Sequence, residues 1–254
     1  MKLESSESGV WNLGTGSSTR TLFAGDVHLR PGDSAAAHRF ISFVESRRVA
    51  RLVLLGDFFD YWIGPKHLEG DDYREALDGL RRLTRSGLEV LFLHGNRDYF
   101  VEGAFERATG VRVAGSEISF RLGGRSVLCA HGDFIYNRNP KYSAYRRLMR
   151  FSALRAAVLA MPAGVGKTLA RGFRGVSRRT TPAYRWSRQD LLAGAAPLFD
   201  RGTDVLICGH IHLPTHLHCE RGGRRRDLYV VGDWDGTCDS VEFDGSSWSF
   251  APAK

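Results

Sequence analysis

Five short apolar runs in this chain each end beside a glycine and a side chain that binds divalent metal. Thr21–Ala24 leads into Gly25-Asp26-Val27-His28, and residues 52–55 lead into Gly56-Asp57-Phe58-Phe59-Asp60. Residues 90–93 precede His94-Gly95-Asn96-Arg97-Asp98, residues 127–130 precede His131-Gly132-Asp133, and Val205–Cys208 precedes Gly209-His210-Ile211-His212. Runs that are apolar at successive positions, rather than alternating, are the signature of strands buried on both faces. Amphipathic stretches lie between them. Residues 34–48 place Phe40, Ile41 and Val44 on one face, and residues 72–86 do the same with Tyr73, Leu77, Leu80 and Leu83, followed by Gly87 as a stop. This alternation through residue 110 predicts βαβ units and a largely parallel sheet. Later short strands, joined at Gly123-Gly124 and Gly222-Gly223, predict a second sheet packed on the first. The expected fold class is α/β, as an α/β/β/α sandwich.

In such sheets, sites form beyond the carboxyl ends of the strands. Asp26, His28, Asp57, Asn96, His131, His210 and His212 are therefore expected on one rim. Asp, Asn and His suit Mn, Fe, Co or Zn. Seven protein ligands are too many for one ion that must also take water and substrate, and about right for two ions sharing a carboxylate. Asp57, central in the order, is the bridging candidate. Each piece alone has a plainer reading: a strand-end His at the surface, a Gly-Asp turn, an Asn in a left-handed turn. Five in one chain, all at strand ends, favour one dinuclear site.

The 254 residues suffice for one large α/β domain or for two small ones. The net charge of +8 is concentrated: residues 138–189 hold 13 Lys and Arg and no acid, leaving 23 basic and 28 acidic residues elsewhere. In that segment Leu148, Phe151, Leu154, Val158 and Met161 recur at helical spacing among Arg147, Arg150 and Arg155. A basic amphipathic helix suits an anionic membrane surface or a lipid-bearing substrate; the alternative is a helix packed on the domain with solvated arginines. Residues 1–19, rich in Ser and Gly, read as a flexible tail without a signal peptide, ahead of a domain over 20–254. The longest apolar window, residues 156–165, is interrupted by Pro162 and is too short to cross a bilayer. Cys129, Cys208, Cys219 and Cys238 form no CxxC pair and read as reduced thiols of a cytoplasmic protein. Gly164-Val165-Gly166-Lys167-Thr168 echoes a P-loop, but Met161 stands where its first glycine belongs. His216 and His218 read as members of a strand leaving the site.

Asp-x-His, Gly-Asp-x-x-Asp, Gly-Asn-x-Asp, His-Gly and Gly-His-x-His, in this order from Asp26 to His212, resemble the calcineurin-like metallophosphoesterases. The resemblance implies one ion held by Asp26, His28, Asp57 and His212, and a second by Asp57, Asn96, His131 and His210. That family generally has His after the Asn, able to protonate a leaving alkoxide. Arg97 stands there instead and cannot serve as a practical general acid. Loss of the acid is tolerable when the leaving group is a phosphate monoester, whose second pKa is about 6. Arg97 thus argues for cleavage of a pyrophosphate bond.

Residues 56–64, Gly95-Asn96-Arg97-Asp98-Tyr99, and His131-Gly132-Asp133 followed by Tyr142 resemble the UDP-2,3-diacylglucosamine diphosphatases of lipid A synthesis. That resemblance implies a helical lid inserted at about residues 138–188. It also implies two ions, usually Mn, and water attack on the α-phosphorus to give UMP and 2,3-diacylglucosamine 1-phosphate. Catalytic roles fall on Asp57, Asn96, Arg97 and His131; substrate contacts fall on Asn96, Arg97, Tyr142, Arg174, Ser177 and His210. The acyl chains would lie in a groove lined by Phe151, Leu154, Val158 and Met161. The expected partners are a nucleotide-linked lipid and the anionic inner-membrane surface, met peripherally from the cytoplasm, with no nucleic acid. The lid departs from the family pattern at Arg138 and Asn139, where an acidic pair is usual, and at Thr181 and Tyr184. Three readings stay open beside this one: a phosphodiesterase or nuclease gripping nucleic acid through the basic segment, a hydrolase of another nucleotide-linked lipid or sugar, and a metal-free scaffold. The aliphatic face from Leu148 to Met161 speaks against the nuclease, since single strands prefer aromatic platforms. The complete ligand set speaks against the scaffold.

Overall fold

The computed structural model describes residues 19–133, 148, 158, 186–234 and 239–252. The first half alternates as expected: β1 (Thr21–Ala24), α1 (Ser34–Arg47), β2 (Arg51–Leu54), α2 (Arg74–Arg85), β3 (Glu89–Leu93), α3 (Gly103–Thr109) and β4 (Arg112–Gly115). The strands β1 to β4 run parallel in one sheet, whose other edge is β10 (Asp239–Phe243) and β11 (Trp248–Pro252), giving the order β11-β10-β1-β2-β3-β4. The second sheet has the order β5-β6-β7-β9-β8. Its parallel centre is β6 (Arg125–Ala130), β7 (Val205–Cys208) and β9 (Arg224–Val230). Antiparallel β5 (Glu117–Leu122) and β8 (Thr215–Arg221) close its edges. The two edge hairpins turn at Gly123-Gly124 and Gly222-Gly223, with φ of +58° and +76°, and +57° and +68°. Two consecutive positive φ values are what a tight hairpin turn requires, and glycine supplies them without strain.

Alternation of side chains along the strands divides the core into three layers. Phe23, Val53, Leu91, Ile118, Val127 and Ile207 fill the space between the sheets. Leu22, Leu52 and Phe92 point the other way, against Phe40, Ile41, Leu77, Leu80 and Phe105 of α1, α2 and α3. On the far side, α4 (Arg188–Asp200) lays Leu191, Ala195 and Phe199 on Leu206, Leu228 and Val230. The architecture is the α/β/β/α sandwich. The α1 start is fixed by Asp33, whose carboxylate accepts from the Ala36 N–H, and α4 opens with a reciprocal Ser187–Asp190 capping box. Helix α1 stops one residue before the expected end because Arg48 takes a left-handed conformation.

Tyr142, Arg174 and Ser177, the departures at Arg138, Asn139, Thr181 and Tyr184, the P-loop echo, residues 1–18 and most of the lid lie outside the described residues. Two lid positions are described. Leu148 and Val158 are both helical; Leu148 is exposed, whereas Val158 packs partly against the first sheet's helical core. Val158 is thus committed in part to the domain itself, a contact that its place in an expected acyl groove did not include. No helix among the described residues is long and apolar enough to cross a membrane. Cys129 and Cys208 are free and buried, and Cys219 is free and partly buried.

Candidate metal centre

The loops after β1, β2, β3, β6 and β7 converge, and with them all seven candidate ligands. They meet as two histidine pairs. His28 Nε2 and His212 Nε2 face each other at 3.2 Å, and His131 Nε2 and His210 Nδ1 do so at 3.2 Å, with Asn96 Nδ2 3.0 Å from the same His210 nitrogen. Asp57 Oδ2 stands between the pairs, 4.0 Å from His28 Nδ1 and 3.8 Å from His131 Nε2. Asp26 Oδ1 is 3.9 Å from His28 Nε2 and 3.5 Å from His212 Nε2. Asp26, His28 and His212 can converge on one cation, and so can Asp26, Asp57 and His131.

The strained backbone of the site is concentrated at these residues. Asp26, His28, Asp57, His210 and His212 have φ between +50° and +75°; among the described residues the only other non-glycine with positive φ is Arg48. Each such residue costs about 1–3 kcal/mol, a cost that persists where the surroundings enforce it. The motif glycines are part of that enforcement. A Cβ on Gly209 would lie 2.3 Å from Asp26 Oδ2, and one on Gly95 2.2 Å from Asp57 Oδ1. Glycine is required because each ligand loop nests on the carboxylate of another.

A neutral hydrogen-bond network does not account for these contacts. Asp26 Oδ1 and His28 Nδ1 are buried without a hydrogen-bond partner, a costly state that a cation relieves. His131 donates Nδ1–H to the Leu55 carbonyl at 3.0 Å, so its Nε2 edge turns inward. Burial, with the charges of Arg97 and His212, pushes His28 down to about 4; burial and His131 push His210 down to about 4. Burial alone would raise Asp26, but His212, His131 and His28 hold its carboxyl well below the usual range. Burial also opposes charge on His131 and His212, yet Asp57 and Asp26 hold the first, and Asp26 and Asp233 the second, above the ordinary histidine value. Paired imidazoles around buried carboxylates match the donor set of a divalent ion of intermediate hardness.

The family model for calcineurin-like phosphoesterase matches residues 19–214, from the start of β1 through the last ligand loop. The chain belongs to that family. It is a metal-dependent hydrolase, and the converging side chains are its candidate metal-binding groups. A protein of Chromohalobacter salexigens named UDP-2,3-diacylglucosamine hydrolase is 32% identical over 218 residues, covering 84% of this chain and 88% of its own. One of Ralstonia nicotianae with the same name is 34% identical over 227 residues, covering 84% and 83%. A third, from Pseudomonas aeruginosa and also so named, is 31% identical over 235 residues, covering 91% and 98%.

Three further carboxylates shape the phosphoesterase site, and the sequence reading assigned none of them a role. Asp98, fully buried, accepts from Gly95 N at 2.7 Å, Phe58 N at 2.8 Å and Asp57 N at 3.3 Å, tying two ligand loops together. Burial and the Asp57 charge push it up to about 7, against the N–H groups that favour its anion. Asp60 receives Arg97 Nη1 at 2.9 Å, while Arg97 Nε lies 3.3 Å from Asp57 Oδ2 and the Arg97 N–H donates to Asp57 Oδ1 at 2.9 Å. Asp233 Oδ2 sits 3.3 Å from His212 Nδ1 and turns Nε2 of that ring inward. Its signal was present: the buried run 228–231, like the other five, ends in Gly232-Asp233. His216 and His218 do lie in β8, outside the cluster.

Proposed function

We propose that this phosphoesterase cleaves the pyrophosphate of UDP-2,3-diacylglucosamine by water attack on the α-phosphorus, releasing UMP and 2,3-diacylglucosamine 1-phosphate. The observation that carries the reading is Arg97. It stands beside the ligand carboxylate Asp57, anchored on buried Asp60, where a general acid would serve an alkoxide leaving group. A guanidinium stays protonated; it can orient and neutralise phosphoryl oxygens but has no proton to give. A phosphoanhydride needs no such proton, because its leaving group is already a stable anion. The shared name of relatives that match over most of their length supports the choice of substrate.

Asp26, His28, Asp57 and His212 would hold one ion, and Asp57, Asn96, His131 and His210 the other, with Mn as the metal. When bound, the ions supply Lewis acidity to water and to the phosphoryl oxygens. Asp57 would share its carboxylate between them, in keeping with its place between one histidine of each pair. Asn96, Arg97 and His210 would contact the phosphates, and Tyr142, Arg174 and Ser177 the remainder of the head group. The basic amphipathic segment over residues 138–188 would close over the site, receive the acyl chains and meet the anionic inner membrane from the cytoplasmic side.

A product assay tests the reading. Purified protein with Mn should convert UDP-2,3-diacylglucosamine to UMP, chelator should stop it, and ¹⁸O from labelled water should appear in UMP. No UMP from this substrate, with rapid cleavage of oligonucleotides instead, would make the enzyme a nuclease. Label confined to the sugar phosphate would move the attack to the other phosphorus.

A further inference from the structure

The metal ligands follow the carboxyl ends of the strands. At the opposite end the sandwich carries an open surface cleft of about 450 Å³, lined by β8 and β9 of one sheet, β11 of the other and the start of β6. That volume falls in the range of small-molecule sites, roughly 300–1,000 Å³. One wall is aromatic: His216 lies flat on Tyr229 at 4.2 Å and 3°, and Tyr229 continues onto Trp248 at 5.8 Å and 24°. Phe250 meets Tyr229 edge-on. The other wall is charged. Buried Asp227 accepts from Arg125 at 2.8 Å, from Arg225 at 3.1 Å and from His216 at 2.8 Å.

Two guanidiniums face one carboxylate, so the wall carries net positive charge even with the His216 ring neutral. Arg125 is fully engaged, since its second amino group donates to the Asp204 and Arg225 carbonyls. Arg225 is not. Its Nε and Nη2 bond Asp227, which leaves Nη1 unengaged among the described residues on a side chain that is 59% exposed. Asp227 is compensated by three partners and so repels an incoming anion weakly. Tyr229 Oη and Trp248 Nε1 form no hydrogen bond among the described residues, which gives the aromatic wall two polar edges.

We propose that this cleft binds a nucleoside monophosphate, with its base against the partly exposed rings of Trp248 and His216 and its phosphate on Arg225. A partly exposed aromatic surface beside a guanidinium with one amino group unengaged among the described residues suits a planar ring carrying an anionic group: stacking contributes about 1–3 kcal/mol per base, and the Arg225 Nη1–H can donate to a phosphate oxygen. The site is separate from the metal centre and does not depend on which phosphoester the centre cleaves.

Isothermal titration of the full, metal-loaded chain with AMP tests it, with adenosine and orthophosphate as separate arms. AMP should bind at one site, and adenosine and orthophosphate each at least tenfold more weakly. Arg225→Ala should weaken AMP at least tenfold while metal content and hydrolysis of a small phosphodiester stay unchanged. Arg225 is a surface residue, so this variant should fold. Trp248→Phe, which keeps a packed ring, should weaken AMP by several-fold and remove the tryptophan quenching that accompanies binding. Absence of AMP binding at millimolar concentration would overturn the proposal. So would AMP binding that both variants leave intact, because the ligand would then sit elsewhere, or adenosine binding as tightly as AMP, because the arginine would then have no part.

Discussion

At the scale of single residues, the site consists of protonation states that a cation would reverse. Against burial, and without a bound cation, Asp57 and Asp26 hold His131, and Asp26 and Asp233 hold His212, above the ordinary histidine value, so both favour a proton that a metal ligand must give up. His28 and His210, pushed down to about 4, are already neutral. If all four histidines bind metal, as proposed, binding should expel protons from the first two and not from the second two. Affinity should rise with pH and fall as pH drops through the raised values, by up to about tenfold per unit for each proton displaced. Metal-competition titrations between pH 6 and 9 check this; a flat profile would contradict it. Asp57 carries a different prediction. If it is shared between two ions, Asp57→Ala should lower bound metal from two ions to one or none and abolish turnover. Retention of two tight ions in that variant would remove it as the bridge.

At the scale of elements, the question is what holds five loops in register, and the answer is mutual exclusion of side chains. Gly209 lies on Asp26, Gly95 lies on Asp57, and Asp98 ties the β2 and β3 loops through backbone N–H groups. Gly209→Ala should therefore displace Asp26, costing about 1–3 kcal/mol of stability as an overpacked contact. Metal affinity should fall at least tenfold, although no ligand has been removed. A metal titration beside a denaturant melt separates the two effects, and unchanged metal affinity would mean that the loops are more compliant than their contacts imply. The same nesting explains what could be read from the sequence. Central parallel strands are buried on both faces, so β1, β2, β3, β6 and β7 appear as continuous apolar runs and their ligands stand out directly after them. Strand β4 carries only partly buried residues and β11 has Ala251 as its one buried residue, so neither has such a run. The need for glycine was visible as a pattern, but its cause was not, since Gly209 and Asp26 are far apart in the chain. Asp98 and Asp60 were in plain view beside ligands; their partners are backbone N–H groups and Arg97, which only the folded loops bring near.

At the scale of the whole molecule, the centre joins two sheets that share no strand pairing. The first sheet supplies Asp26, His28, Asp57 and Asn96, and the second supplies His131, His210 and His212. Protein contacts across the seam exist: the His210 N–H donates to Asp26 Oδ2 at 2.7 Å, and His131 donates to the Leu55 carbonyl. They leave Asp26 Oδ1 and His28 Nδ1 buried without a well-formed hydrogen bond, Asp26 Oδ1 having only the His28 and His212 rings at 3.9 Å and 3.5 Å. The ion on Asp26, His28, Asp57 and His212 would relieve that deficit, and each ion would bond both sheets at once, whereas the unfolded chain cannot assemble the site. Binding to the native state alone adds about 2.7 kcal/mol per site at a free concentration one hundred times Kd. For a chain of this size 1 kcal/mol moves the melting temperature by about 2–4 °C. Removing metal with chelator should therefore lower Tm by roughly 5–10 °C per site lost, and Mn in excess of chelator should restore it. The shift should shrink in Asp57→Ala, which removes the side chain between the two histidine pairs. Calorimetric scans with Mn and with chelator make the comparison directly. Identical melting in both would mean that the seam is held by packing alone, and that the ions serve chemistry without contributing to the union of the sheets.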